Sequence, residues 1–134
     1  MGYRSEVAIT LPNKNFMELL AKSKAENNYA YELIKDGSIY QTDKFTTMCF
    51  DWIKWYEDDE DIKFIEDFIR GVPHVFSRIG EEYDDIERIE NDIKDYDIYD
   101  CVNIVRNLDI GGAGEEITIN EKGDGADGFW QRAV

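Results

Sequence analysis

The sequence contains little cysteine, histidine and proline, and these shortages exclude several kinds of protein. Its two cysteines, Cys49 and Cys101, match no close-spaced metal or redox pattern, so we expect reduced thiols in a protein of the cytosol. No apolar run approaches the roughly 20 residues that a membrane span needs. The single histidine, His74, directly follows a proline at the start of a predicted strand, which favours a structural role over that of a general base.

Basic residues are also scarce, with 15 Lys and Arg against 30 Asp and Glu and a net charge of -15. Such a charge argues against binding to bare DNA, RNA or an anionic membrane, because like charges repel. The acidity is uneven: residues 1–50 are neutral, whereas residues 51–100 carry eighteen acids and six bases. With 43% hydrophobic and 13% aromatic residues, the 134-residue chain can still form a core, and we expect one folded domain.

The first half of the chain predicts strands around one helix. Residues 3–11 alternate as a strand that Pro12 ends, and Asn15 is typical of the N-cap of a helix over residues 16–27. The Asp36-Gly37 dipeptide then favours a tight hairpin turn between strands at residues 29–35 and 38–42.

The next segment predicts a long strand followed by a second helix. Residues 45–56 are rich in Thr, Phe and Trp, and alternation places Met48, Phe50 and Trp52 on one face, with Trp55 on the other. Acidic residues 57–61 suit the N-terminus of a helix that ends at Gly71, before a strand over residues 74–80.

The last third of the chain is harder to interpret. Residues 81–100 fit either a helix or a turn and strand, and we favour the turn and strand. Further strands are predicted over residues 99–108 and 115–120. The sequence therefore predicts an α+β fold, a mostly antiparallel sheet with two helices packed on one face. Residues 1–120 would form a single domain and residues 121–134 a flexible tail.

The acidic residues are the main functional clue. One hypothesis is that they mimic the phosphates of a nucleic acid and occupy the basic groove of a nucleic-acid-handling protein. The alternative is a solvated face that only keeps the protein soluble, and for Trp55 and Tyr56 core packing competes with a role as interface anchors. The predicted partner-binding residues are Glu57, Asp58, Asp59, Glu60, Asp61, Glu81, Glu82, Asp84, Asp85, Glu87, Trp55 and Tyr56.

The sequence gives weaker support for metal binding, phosphate binding or catalysis. Clustered carboxylates such as Asp84 and Asp85 could hold a hard cation, but their spacing matches no known loop. Residues 111–114 are rich in glycine but lack the Lys and Ser or Thr of a phosphate-binding loop. We therefore predict no catalytic residue, no metal site and no cofactor.

Three stretches of sequence resemble a group of small uncharacterised proteins of tailed bacteriophages. They are MGYRSEV at residues 1–7, WIKWYE at residues 52–57 and RIGEEYDDIE at residues 78–87. The resemblance implies a phage origin and an accessory protein that blunts host restriction, CRISPR or another host function. Together with the uneven acidic charge, it predicts a non-catalytic inhibitor that binds a basic host protein in the host cytoplasm. The sequence leaves the oligomeric state open between a monomer and a homodimer. The alternatives are a small-molecule, nucleotide or metal-binding module and a minor structural protein of the virion.

Overall fold

A computed structural model describes residues 2–91, 97–98, 101–104, 108–119 and 130–132. In these residues the chain forms three helices, α1 (Asn13–Glu26), α2 (Asn28–Asp36) and α3 (Glu60–Arg70). The strands are β1 (Ser5–Pro12), β2 (Ser38–Gln41), β3 (Phe45–Ile53), β4 (His74–Gly80), β5 (Ile86–Asn91), β6 (Asn103–Ile104), β7 (Leu108–Asp109), β8 (Glu115–Ile119) and β9 (Trp130–Arg132).

Seven of these strands form one sheet in the order β5-β4-β1-β3-β2-β8-β9, and β6 pairs with β7 in a second, two-stranded sheet. Every pair of neighbouring strands is antiparallel. The predicted α+β class with a mostly antiparallel sheet is therefore confirmed, although the described residues contain three helices where the sequence predicted two.

Side chains of the sheet belong to two hydrophobic clusters. Alternation along β1 assigns Val7, Ile9 and Leu11 to the first cluster and Ala8 to the second, as the period of two in a strand requires. The first cluster also contains residues of all three helices, among them Phe16, Leu19, Leu20, Ala30, Ile34, Ile62, Ile65 and Ile69. The second contains residues that follow β5 in the chain, Ile98, Cys101, Val102, Leu108 and Ala113. Apolar groups thus cover the central strands on both faces of the sheet.

The prediction of a strand over residues 29–35 is wrong, because this segment is helix α2. The Asn27 side chain accepts a hydrogen bond of 3.1 Å from the backbone N–H of Ala30 and caps the helix. Ala30, Tyr31 and Ile34 lie at helical spacing and are buried. The Asp-Gly dipeptide accordingly ends a helix, with Gly37 as its C-cap, rather than forming the tight turn of a hairpin.

The start of α1 also differs from the prediction. The helix begins at Asn13, two residues before the predicted N-cap, and Pro12 is the N-cap residue. Asn15 lies inside the helix, where its side-chain amide donates to Glu18 Oε1 at 2.8 Å. The predicted end of α3 is confirmed, since Gly71 is its C-cap.

Strand β3 contains an irregularity that reverses the predicted orientations of Trp52, near its end, and of Trp55, which follows it. Val7 pairs with Phe50 while Ser5 pairs with Ile53, so β3 has one residue more than β1 over this stretch. Trp52 has a positive φ of 54°, which is rare outside glycine, and its side chain is 62% exposed. The phase of alternation changes there, so Trp52 faces solvent and Trp55 belongs to the first cluster, opposite to the prediction.

The C-terminal predictions fall partly outside the described residues. The turn and strand predicted within residues 81–100 are confirmed by β5, although residues 92–96 and 99–100 are not described. In place of one strand over residues 99–108, the described part contains the short strands β6 and β7. Of the predicted tail, only Trp130–Arg132 are described, and these form β9 on β8.

Candidate functional site

Residues 57–61, named here the acidic loop, comprise the end of the connection from β3 to α3 and the first two residues of α3. Glu60 and Asp61 occupy the first turn of the helix, where carboxylates interact favourably with the helix dipole. Residues 57–60 are exposed and Asp61 is half-buried. Within the part of the chain that the structure describes, none of the five carboxylates forms an ion pair. The acidic loop therefore presents a compact, uncompensated negative charge.

Residues 81–87, named here the acidic turn, comprise the connection from β4 to β5 and the first two residues of β5. Two of its carboxylates form ion pairs with Arg78. Arg78 donates two hydrogen bonds to Asp85, with Nη2 at 2.7 Å from Oδ1 and Nη1 at 3.1 Å from Oδ2. Its Nε also donates to Glu87 at 3.2 Å. The bonds from Arg78, together with one from the Tyr3 hydroxyl, lower the pKa of Asp85 below its ordinary value.

Tyr3 joins the acidic turn to the loop. Its hydroxyl donates to Asp85 Oδ2 at 2.6 Å and accepts from the backbone N–H of Glu82 at 3.0 Å. Its own backbone N–H donates to the hydroxyl of Tyr56 at 2.7 Å, directly before the acidic loop. The hydrogen bond to Asp85 raises the pKa of Tyr3. The two acidic clusters, separate in sequence, thus lie at one end of the sheet.

The junction depends on a glycine at the end of β4. A Cβ atom on Gly80 would overlap the carboxylate of Asp85 and the hydroxyl of Tyr3. Only a residue without a side chain lets these two groups meet over the strand end.

A cleft with a volume of about 750 Å³ opens beside the acidic loop and the acidic turn. Its apolar lining includes Trp55, Phe76, Ile69 and Ile89, with Tyr56 at the edge. The other residues that line it are Tyr3, Ser5, Glu57, Asp58, Glu66, Arg70, His74, Arg78, Asp85, Glu87 and Asn91. A volume of this size is within the range of protein sites for small molecules or for inserted side chains.

Trp55 lines this cleft, and its side chain is held by aromatic packing and a hydrogen bond. Its ring lies 5.7 Å from Phe50 and 5.9 Å from Phe76 between centroids, and it is 8% exposed. Its indole Nε1–H donates to Glu66 Oε2 at 2.8 Å. Burial raises the pKa of Glu66, and the bond from Trp55 opposes that rise.

His74 also lines the cleft and is 5% exposed. Its Nδ1 lies 3.0 Å from the backbone oxygen of Val72, so Nδ1 carries the proton that this bond requires. The Asn91 side chain donates to the same carbonyl at 3.3 Å. These contacts fix the two polar side chains at the end of β4 and β5 nearest α3.

Exposed apolar side chains surround the opposite end of β4 and β5, where the acidic loop and the acidic turn lie. Trp52, Tyr83 and Ile86 are 62%, 78% and 47% exposed, and Tyr56 is 39% exposed. Pairing of Ser5 with both Ile53 and Gly80 places the ends of β3 and β4 on either side of the start of β1. Aromatic groups among charges are typical of protein-binding surfaces.

The predicted site residues therefore divide into two sets. Six of them line the cleft: Trp55, Tyr56, Glu57, Asp58, Asp85 and Glu87. The other six, Asp59, Glu60, Asp61, Glu81, Glu82 and Asp84, lie in the loop and the turn outside it. Sequence reasoning missed Tyr3 and Arg78, because their partners are distant in the chain, and their presence in two of the quoted motifs was the only signal. Glu66 was one of the acidic residues considered for mimicry but was not among the predicted partner-binding residues.

Other kinds of site find no support in the described ranges. No group of three or more His, Cys, Asp or Glu side chains is arranged to hold a metal ion there. None of the described helices has the length and apolar character needed to cross a membrane.

Comparisons of the chain with protein-family models, with curated proteins and with solved structures found no match. The resemblance of residues 1–87 to small phage proteins therefore stays a prediction.

Proposed function

We propose that this protein is a non-catalytic inhibitor, encoded by a phage, that binds a basic nucleic-acid-handling protein of the bacterial host. The acidic loop and the acidic turn form its contact surface and take the place of nucleic-acid phosphates. The target belongs to a defence system such as restriction or CRISPR, or is another host enzyme. The phage origin and the host setting depend on the resemblance of the three sequence motifs.

The observation that carries the proposal is the junction at Tyr3. Its bonds to Tyr56 and Asp85 hold the unpaired carboxylates of the acidic loop beside those of the acidic turn. DNA carries about one negative charge per 1.7 Å of its axis, and carboxylates on five consecutive residues at a helix N-terminus can approach that density. Such a surface steers a basic partner and accelerates association, which benefits an inhibitor that competes with nucleic acid.

The arrangement of the helices supports the same surface. We infer that all three helices lie on the face of the sheet that carries Val7 and Ile9, since their buried residues share one cluster. The opposite face is then covered by residues of the second cluster, Ile98, Cys101, Val102, Leu108 and Ala113. The acidic end is the sheet end next to the N-terminus of α3.

Capture of partners from a host lysate at low and at high salt tests this function. We expect one basic nucleic-acid-handling protein that elutes as salt rises, because exposed charge interactions are screened. The variant Glu57→Lys/Asp58→Lys should abolish capture. The matched control, Glu26→Lys/Asp36→Lys, makes the same change in net charge at exposed ends of α1 and α2 and should retain it.

The two variants separate a local surface from general acidity. Equal loss in both variants would show that only net charge matters and would reject the proposed surface. A partner retained at high salt would contradict electrostatic mimicry and favour a small-molecule, metal-binding or virion role.

A further inference from the structure

We infer that the cleft beside the acidic loop receives the guanidinium of an arginine side chain from the bound partner. The inference rests on the proposed function, because it names the group that a basic partner would insert there. Three features of the lining carry it: the charge balance, the aromatic wall and the state of Glu66.

The charge balance of the cleft favours a cation. Its lining contains five carboxylates and two guanidinium groups. Both guanidiniums are already engaged, Arg78 with Asp85 and Glu87, and Arg70 with Asp67 at 2.9 Å. In the described part of the chain no ion pair is made by the remaining three carboxylates, Glu57, Asp58 and Glu66. A phosphate-bearing ligand would meet these three charges and be repelled.

The aromatic wall favours guanidinium over other cations. Trp55 and Tyr56 line the cleft together with Glu57 and Glu66, and Tyr56 is the more exposed of the two rings, at 39% against 8%. A planar guanidinium stacks on an aromatic ring and can donate two parallel hydrogen bonds to one carboxylate. A lysine ammonium is more strongly hydrated and forms neither the stacking contact nor the two-pronged bond.

Glu66 is the carboxylate best placed to recognise the cation. Its Oε2 accepts from the Trp55 indole at 2.8 Å, and within the described residues no donor bonds to Oε1. Burial and the nearby charges of Glu57 and Glu87 raise the pKa of Glu66, and the charge of Arg70 opposes that rise. A guanidinium at Oε1 would relieve the cost of keeping this half-buried carboxylate ionised.

The test uses the Trp55 indole N–H as a reporter in nitrogen-15 NMR spectra, with the resonance assigned from its loss in Trp55→Phe. The full-length protein is titrated with N-acetyl-arginine methylamide and with the citrulline and lysine equivalents. We expect the arginine compound to shift the Trp55 resonance and to leave that of Trp52 in place. Citrulline, which is neutral and nearly the same shape, should have no effect, and lysine should bind more weakly.

The matched variants are Glu66→Gln and Glu60→Gln. Glutamine at 66 can still accept the indole bond, so the fold is retained, and we expect roughly tenfold weaker binding of the arginine compound. Glu60 lies outside the cleft, and its variant should bind as the parent protein does.

The outcomes separate this inference from the proposed function. An equal response to citrulline or lysine, no response to arginine, or unchanged binding in Glu66→Gln would each overturn the guanidinium site. If the host partner is nevertheless captured and lost in Glu57→Lys/Asp58→Lys, the proposed function stands without the cleft. If arginine binds as expected but no basic partner is captured, the site stands and the proposed function falls.

Discussion

The acidic loop and the acidic turn are alike in composition and differ in what surrounds them. The loop places five carboxylates before and within the first turn of α3, and in the described residues no cation pairs with them. In the turn, Asp85 accepts bonds from Arg78 and Tyr3, and Glu87 accepts from Arg78. Charge of the same sign thus stabilises the fold in one region and remains available to a partner in the other.

This difference in ion pairing shows that a run of acidic residues does not by itself identify a binding surface. Arg78 and Asp85 are only 18% and 30% exposed, so their interaction is screened less than an exposed pair. Substitutions of Asp85 or of its partner Arg78 should therefore change stability, whereas substitutions of carboxylates without an ion pair in the described residues, such as Glu57 and Asp58, should change binding. Four predictions test this contrast.

The largest effect is expected from Arg78→Met. The change leaves Asp85 and Glu87 without their cation and removes the bond from Arg78 to Ser5 Oγ. We expect a loss of about 2 kcal/mol in the free energy of unfolding, measured by urea denaturation. The control is Arg70→Met, since Arg70 is 72% exposed and its pair with Asp67 lies on the surface of α3.

Arg70→Met should cost less than about 0.5 kcal/mol. A double-mutant cycle of Arg78→Met with Asp85→Asn measures the coupling between these two side chains. Equal losses in the Arg70 and Arg78 variants, or no coupling in the cycle, would remove the distinction between the loop and the turn.

The second prediction concerns the junction at the end of β4. In Gly80→Ala the new methyl group would overlap Asp85 and the Tyr3 hydroxyl, so the turn must move away from Tyr3. We expect a loss of about 1 kcal/mol by thermal or urea denaturation.

Gly71→Ala is the matched control for this substitution. A Cβ at Gly71 meets only the backbone oxygen of Phe68, at 3.8 Å, and the residue has a negative φ. That variant should be neutral or slightly more stable, because alanine restricts the unfolded chain. Destabilisation by Gly71→Ala equal to that by Gly80→Ala would show that the junction is not specific.

The third prediction is a pH dependence that belongs to the turn. The folded protein lowers the pKa of Asp85 below its ordinary value of 3.8, so the ionised carboxylate stabilises the fold. That contribution is complete above the ordinary value and is lost as the pH falls through the lowered one. Asp85→Asn should therefore be less stable than the parent near neutral pH and should lose less stability on acidification.

The measurement is the free energy of unfolding from urea titrations at neutral pH and at several acidic pH values. Arg78→Met should also reduce the loss of unfolding free energy at acidic pH, because Arg78 is the main cause of the lowered pKa of Asp85. A parent and an Asp85→Asn variant with parallel pH profiles would contradict the prediction.

Sequence reasoning located the acidic residues but not their surroundings. Charge, alternation and helix-ending glycines are local signals, and they were sufficient for β1 and α3, whereas the turn before β5 was chosen over a helix on turn chemistry. The α2 error came from the Asp36-Gly37 dipeptide, although Asn27 as a cap before Ala30 and Ile34 was a helix signal. Tertiary burial of one face decided that segment.

The geometry of the site depends on contacts that no local pattern contains. Tyr3 meets Tyr56 across 53 positions and Asp85 across 82 positions of the chain. The extra residue in β3 that exposes Trp52 and buries Trp55 leaves a local trace, since the charged residues Asp51 and Lys54 lie three positions apart and break the period of two. Which carboxylates are paired could therefore be seen only in the folded chain.

The smallest effect on stability is expected in the acidic loop, from Glu57→Gln/Asp58→Asn. Both side chains are exposed and without an ion pair among the described residues, so their removal should change the free energy of unfolding by less than about 0.5 kcal/mol. The same variant should weaken capture of the basic partner and reduce the salt dependence of what remains, because two of the charges that attract it are gone. Urea denaturation and partner capture, measured together, complete the contrast with Arg78→Met, which should lose stability through the turn but retain the free charge of the loop. A loop variant that unfolds as readily as Arg78→Met would show that the loop carboxylates also stabilise the fold, and the two acidic clusters would then be alike.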